Sequence, residues 1–173
     1  MQMQPSSPPS SNKGEIFCLV RNEWIKSFPE ELIRQKLLHE MVDQLGFPKG
    51  LLAVEKAIKQ LPHLSDSERA GAPDRRVDIL CFAKENKQKK EKLTIDSLLP
   101  LLTIECKSVK LSAHVIEQVL GYNHYIRSRF IAVANGDEMR VGWFDDQLKH
   151  YHFIDYLPPY LALCSMPSSE HLN

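Results

Sequence analysis

Apolar and polar residues alternate most regularly in Leu101-Leu102-Thr103-Ile104-Glu105-Cys106-Lys107, inside a strand predicted over Leu99 to Lys107. Successive strand side chains point to opposite faces, so Thr103, Glu105 and Lys107 share one face and Leu102, Ile104 and Cys106 the other. The same alternation in a strand over Arg75 to Ala83 sets Arg76, Asp78 and Leu80 against Val77, Ile79 and Cys81. An earlier strand is predicted over Leu51 to Ile58, and Leu61 to Pro73 reads as a polar loop. Between the second and third strands, Lys84 to Pro100 is longer than a tight hairpin needs and carries an insertion.

A helical period precedes these strands. Ser27 or the turn after it caps the helix, Pro29 suits the first helical position, Glu30 and Glu31 complement the dipole, and Gly46 stops the helix after Leu45. At about 100° per residue, Ile33, Leu37, Leu38, Met41, Val42 and Leu45 fill one arc, opposite Lys36, His39 and Asp43. Arg34 falls in the middle of that arc and Glu31 towards its edge, whereas Glu40 lies just outside it and reads as a surface residue. The two could snorkel or pair with each other at the helix end, or point into a polar site.

A second helix is predicted over Leu111 to Arg127. Gln118 and Tyr122 lie one turn apart on it, flanked by His114 and Tyr125, and Val115, Val119 and Ile126 form the apolar stripe that docks it. Phe130 to Ala134 is a strand, Asn135-Gly136 signals a type I′ turn, and Met139 to Phe144 returns antiparallel. Tyr151 to Ile154 adds a short strand. The Pro/Ser-rich residues 1–13 read as a disordered tail and residues 165–173 as a loose one, leaving a single domain over residues 14–164. A helix, three strands, a helix and further strands describe an α/β fold, a mixed β-sheet flanked by helices.

Composition changes this picture little. With 43 % apolar and 25 % charged residues the chain is that of an ordinary globular protein, and no apolar run approaches the ~20 residues that span a bilayer. No signal-peptide core is present, so a cytoplasmic location without a membrane partner is expected. Cys18, Cys81, Cys106 and Cys164 lack any C-x-x-C spacing, so they are expected to be reduced and mostly buried rather than zinc-bound or bridged. Lys plus Arg equals Asp plus Glu at 22 each, so the broad positive field of a non-specific nucleic-acid binder is missing. The lysine run Lys84 to Lys92 is a solvated hairpin tip or a phosphate-contacting loop.

Charge on the alternating strands carries the candidate chemistry. A carboxylate and an ammonium projecting from an apolar strand are costly to bury without a partner or a metal. Asp78 and Glu105 on adjacent strands make an oxygen-rich site of the kind Mg²⁺ or Mn²⁺ prefers, with Lys107 one pleat along to orient or help deprotonate a water. Gln118 and Tyr122 could position that water or the substrate backbone.

Asp78, the Glu105-Cys106-Lys107 triplet and the Gln118 to Tyr122 helix resemble the PD-(D/E)xK nuclease superfamily, a restriction-endonuclease-like core. More narrowly, RQKLLHEMVDQLGFPKGLLAVEKAI, RRVDILCFAK, LLTIECKSVKL, IEQVLGYNHY and IAVANGDEMRVGWF resemble the N-terminal domain of type I restriction enzyme R (HsdR) subunits, over Pro29 to Asp145. The resemblance implies Mg²⁺-dependent (or Mn²⁺-dependent) cleavage of DNA, with Asp78 and Glu105 as metal ligands, Lys107 as catalytic lysine, and Gln118 and Tyr122 as the helix motif. The first-helix acidic residue of such nucleases is best matched by Glu31. Arg34, Gln35, Lys110 and His114 are the candidate nucleic-acid contacts.

The chain departs from the full subunits in having no G-x-x-x-x-G-K-[ST] loop, so it has no ATP-driven motor of that type and separately encoded restriction or motor subunits are possible partners. Pro73-Asp74 stands four residues before Asp78, so Asp78 rests on strand register. The competing reading is a non-catalytic nucleic-acid-binding or protein-interaction module that retains the fold, with Asp78, Glu105 and Lys107 in a structural ion network.

Overall fold

The computed structural model describes residues 13–84 and 98–166. The tail at residues 1–12, most of the lysine run, and residues 167–173 lie outside the described residues. A hairpin comes first, β1 (Glu15–Cys18) paired antiparallel with β2 (Glu23–Lys26). Helix α1 (Pro29–His39) follows and winds into a wider π turn over Glu40–Gln44. Phe28 is its N-cap, not Ser27, whose hydroxyl instead donates to the Gly14 carbonyl (2.9 Å) and ties the helix entry to the hairpin.

The described residues then build a six-stranded sheet in the order β3-β4-β5-β6-β7-β8, from β3 (Leu52–Ala57), β4 (Arg76–Lys84), β5 (Leu98–Cys106), β6 (Phe130–Ala134), β7 (Met139–Asp145) and β8 (His150–Ile154). Every neighbouring pair is antiparallel except β5 and β6. A parallel pair needs a crossover, and α3 (Ala113–Ile126) supplies it. The sheet is therefore mixed, as the sequence pattern predicts.

Alternation on the strands divides the core. Ile79, Cys81, Leu102, Ile104, Cys106, Phe130, Ala132 and Ala134 pack with Leu37 and Leu38 of α1 and Met41 of the π turn. Ile131 and Val133 pack with Val115 and Val119 of α3, and Ile126 of α3 joins Val77 and Leu80. The docking stripes predicted for both helices are the ones used. Cys18, Cys81 and Cys106 are buried, Cys164 is exposed, and all are free.

Three segments depart from expectation. Leu61 to Pro73 is not simply a loop: α2 (Asp66–Gly71) lies within it, closed by a Ser65/Glu68 capping box, with Leu61, Leu64 and Ala72 buried beside it. The Asn135-Gly136 pair does not form a two-residue type I′ turn. Gly136 lacks the positive φ that turn requires, and a four-residue loop is held instead by the Asn135 carboxamide, whose Oδ1 accepts from the amides of Asp137 (2.8 Å) and Glu138 (2.7 Å). A last helix, α4 (Tyr160–Ser165), seals the α1 side of the core with Tyr160 and Leu163.

Candidate active site

The site forms where β4 and β5 part. Their ladder runs to the pair Ile79↔Ile104 and goes no further, although Asp78 and Glu105 come next on each strand. The Cys106 N–H donates to Asp78 Oδ2 (2.7 Å), while the Lys107 N–H donates to the Ala134 carbonyl (2.8 Å). A carboxylate side chain thus takes an amide that the antiparallel ladder would otherwise use, and β5 continues along β6 alone. Asp78 and Glu105 are left side by side at the opening.

Arg34 reaches this opening from α1. Its side chain, 6 % exposed, donates through Nη1 to Glu31 Oε2 (2.5 Å) and through Nη2 to Asp78 Oδ1 (2.6 Å), and Nη2 also lies 2.7 Å from Glu55 Oε1 on β3. Its Nε, buried, has no hydrogen-bond partner among the described residues. Lys107 donates to Glu105 Oε1 (2.7 Å). Four carboxylates, Glu31, Glu55, Asp78 and Glu105, thus face two buried or half-buried cations, which leaves two negative charges in excess. Arg76, on the exposed rim, approaches Glu55 at 3.8 Å.

Burial pushes the Asp78 carboxyl above its ordinary range in spite of Arg34 and the Cys106 amide. Glu105 is likewise raised, first by burial and then by repulsion from Asp78, against the pull of Lys107. Burial works to lower Lys107, but the Glu105 hydrogen bond and the charges of Glu105, Glu30 and Asp78 outweigh it and raise its pKa. The ammonium is therefore charged at neutral pH and oriented along β5. Burial also works to lower Arg34, and Asp78, Glu31 and Glu55 together outweigh it.

The structure thus brings Asp78, Glu105, Lys107, Glu31 and Arg34 together. Glu55 joins them without having been singled out, although a lone carboxylate inside the apolar-rich LLAVEKAI was a readable signal. Gln118 and Tyr122 stay apart from this network. Tyr122 packs beside Leu80 with its ring under the Arg75 guanidinium (5.9 Å), Gln118 is half-buried one turn earlier, and among the described residues no hydrogen bond joins either to Asp78, Glu105 or Lys107. Lys110 and His114 are exposed at the start of α3, His114 at 4.0 Å from Glu117.

Gln35, a candidate nucleic-acid contact, points inward. It is 1 % exposed, its Nε2 donates to Glu31 Oε1 (2.8 Å) and its Oε1 accepts the Leu19 N–H (3.0 Å), so it ties the N-terminal hairpin to the acidic residue of α1. Arg34, likewise buried, meets carboxylates rather than solvent in this conformation.

The donors fit a divalent cation: hard oxygens, surplus negative charge and partial burial are what Mg²⁺ or Mn²⁺ selects. Among the described residues, no three His, Cys, Asp or Glu side chains form a ready coordination shell, and Arg34 stands between the carboxylates.

Fold and site define a class, a mixed α/β sheet opened at one end by paired carboxylates with a lysine two residues beyond the second. The chain belongs to the family described as type I restriction enzyme R protein N terminus, whose profile matches residues 29–158. Comparisons with curated proteins and with solved structures found no match.

Proposed function

We propose that this chain is a metal-dependent nuclease domain that hydrolyses DNA phosphodiester bonds with Mg²⁺ or Mn²⁺, on the PD-(D/E)xK plan. The observation that carries the reading is the parting of β4 and β5, which sets Asp78 and Glu105 side by side with Lys107 next to them. Family membership supports a restriction-type substrate, DNA.

In this reading Asp78 and Glu105 hold the cation, and Glu31 adds negative charge from α1. The bound cation supplies charge neutralisation at the scissile phosphate and lowers the pKa of a water. Lys107, held by Glu105, places its ammonium where charge develops in the transition state. Gln118 and Tyr122, on the α3 side of the sheet, orient the substrate backbone. Lys110 and His114, exposed at the start of α3, contact phosphates.

Calorimetric titration of Mn²⁺ and Mg²⁺, run beside plasmid nicking in the same buffers, tests this. Wild type binds and nicks; Glu105→Ala and Lys107→Ala keep the wild-type far-UV spectrum and lose nicking, and Asp78→Asn loses binding as well. Nicking that survives both alanine variants removes the site from consideration.

One observation favours a second reading, a non-catalytic module with a structural ion network: Arg34 already supplies a cation to Glu31, Glu55 and Asp78. Wild-type protein that binds neither cation while retaining DNA affinity would establish it.

A further inference from the structure

We propose that Arg34 is a displaceable counter-ion of the carboxylate site and that Glu55 is the residue to which it withdraws when a divalent cation takes Asp78. The inference rests on the metal-dependent reading above. It assigns positioning roles to two residues of this chain.

Arg34 shares one nitrogen, Nη2, between Asp78 (2.6 Å) and Glu55 (2.7 Å). A guanidinium fixed for structure commonly engages a carboxylate through two parallel hydrogen bonds. Here each of three carboxylates meets a single nitrogen, and Nε is buried with no hydrogen-bond partner among the described residues, in a side chain only 6 % exposed. A buried donor left unsatisfied is costly, so this seat is incomplete by its own chemistry. Letting go of Asp78 forfeits one contact while the Glu55 contact, through the same nitrogen, persists.

Glu55 is built for the second half of the exchange. On β3 it lies between Val54, paired with Ile79, and Lys56, paired with Val77, so it stands opposite Asp78. Its φ of +51° is left-handed, a conformation that a non-glycine residue rarely holds inside a strand. Its carboxylate meets Arg34, with Arg76 at 3.8 Å on the rim. Moving Arg34 off Asp78 and onto Glu55 exposes one carboxylate to an incoming cation and keeps the guanidinium paired. The guanidinium keeps a carboxylate partner throughout, in Glu31 and Glu55.

Mn²⁺ titrated calorimetrically into wild type, Arg34→Gln, Glu55→Gln and the double variant tests the exchange, with melting followed in chelator and in Mn²⁺. Removing Arg34 removes the competitor and tightens Mn²⁺ binding by about tenfold or more, the scale of one close charge pair. Glu55→Gln strands Arg34 on Asp78 and weakens binding, and that weakening largely disappears when Arg34 is also gone. Arg34→Gln melts lower than wild type in chelator and recovers in Mn²⁺. If Arg34→Gln does not fold, Arg34→Met, which keeps the bulk but removes the charge, carries the same expectation of tighter binding. Glu55→Gln losses of equal size in both backgrounds make Glu55 a ligand, not a retreat, and overturn the exchange. Unchanged or weaker binding on losing Arg34 overturns it too, leaving the nuclease reading intact. Absence of Mn²⁺ binding in all variants and wild type overturns both.

Discussion

Two adjacent buried side chains show how partners decide role. Gln35 and Arg34 are adjacent in sequence, yet Gln35 closes a structural bridge between Leu19 and Glu31 while Arg34 serves the acidic site. Gln35→Ala strands the part-buried Leu19 N–H and removes a donor from Glu31, which costs about 1–3 kcal/mol. For a chain of this length that is a melting temperature lower by roughly 2–4 °C per kcal/mol, with DNA affinity of the folded protein unchanged. A DNA-binding loss larger than the folding loss would return Gln35 to the interface. Glu105 makes a prediction in pH. Its folded pKa lies above the ordinary 4.5, so between those two values the folded state holds more protons than the unfolded one. Its contribution is fully present below the ordinary value and declines as pH rises through the folded one. Glu105→Gln does not titrate there, so the melting-temperature gap between wild type and variant shifts in the variant's favour from about pH 4 to about pH 7. A gap that is flat, or moves the other way, would contradict the raised carboxyl.

At the scale of elements, the edge hairpin of β7 and β8 depends on a missing side chain. A Cβ on Gly142 would lie 2.5 Å from the Phe153 ring, which covers that position on the neighbouring strand. Gly142→Ala forces the ring outward and costs about 1–3 kcal/mol, the range for overpacking. Phe153→Ala made together with it restores much of the loss, because the obstructing ring is gone. Additive losses, measured by chemical denaturation, would show that the glycine matters for its backbone instead. The same scale explains why β5 tolerates Pro100. It pairs with Phe82 where the β4–β5 register shifts between Cys81 and Phe82, a bulge that spares the ladder the missing amide.

The whole molecule is larger than the segment the family profile matches. That match ends at residue 158, whereas Tyr160 (9 % exposed) and Leu163 (0 % exposed) close the α1 side of the core and the Tyr160 N–H donates to the Leu45 carbonyl (3.0 Å). Each buried side chain of that size contributes roughly 1.5–3 kcal/mol, a large part of the 5–15 kcal/mol that separates folded from unfolded domains. Ending the chain after Pro158 therefore gives a protein with a strongly lowered denaturation midpoint, and an unchanged midpoint would show α4 to be dispensable. Charge acts at this scale as well. Net neutrality supplies little long-range attraction to DNA, so affinity should fall with log[salt] by a slope of magnitude about 0.9 per phosphate contacted, with few contacts made. A slope as steep as that of a strongly basic binder would point to a concentrated basic face.

Periodicity and chemistry together determined the helices and strands that carry the site. Alternation placed Asp78 beside Leu80 and Glu105 beside Thr103, and the helical wheel put Arg34 inside the apolar arc, where the structure buries it. Local pattern reached that far because side-chain direction repeats along each element. Side-chain caps, which hydrophobic period does not show, and tertiary packing decided the rest. The Asn135 carboxamide displaced the two-residue turn that Asn-Gly signals, since a side-chain acceptor could satisfy two amides at once. The short α2 formed in a polar stretch because Ser65 and Glu68 cap it and Leu64 and Ala72 have a core to enter. Glu55 meets Arg34 and Asp78 only because β3 lies beside β4 and α1 reaches the opening in the sheet, and Arg34 stands 21 positions from Glu55 and 44 from Asp78 in the chain. Coulomb attraction depends on distance in space, and only the folded chain determines that distance.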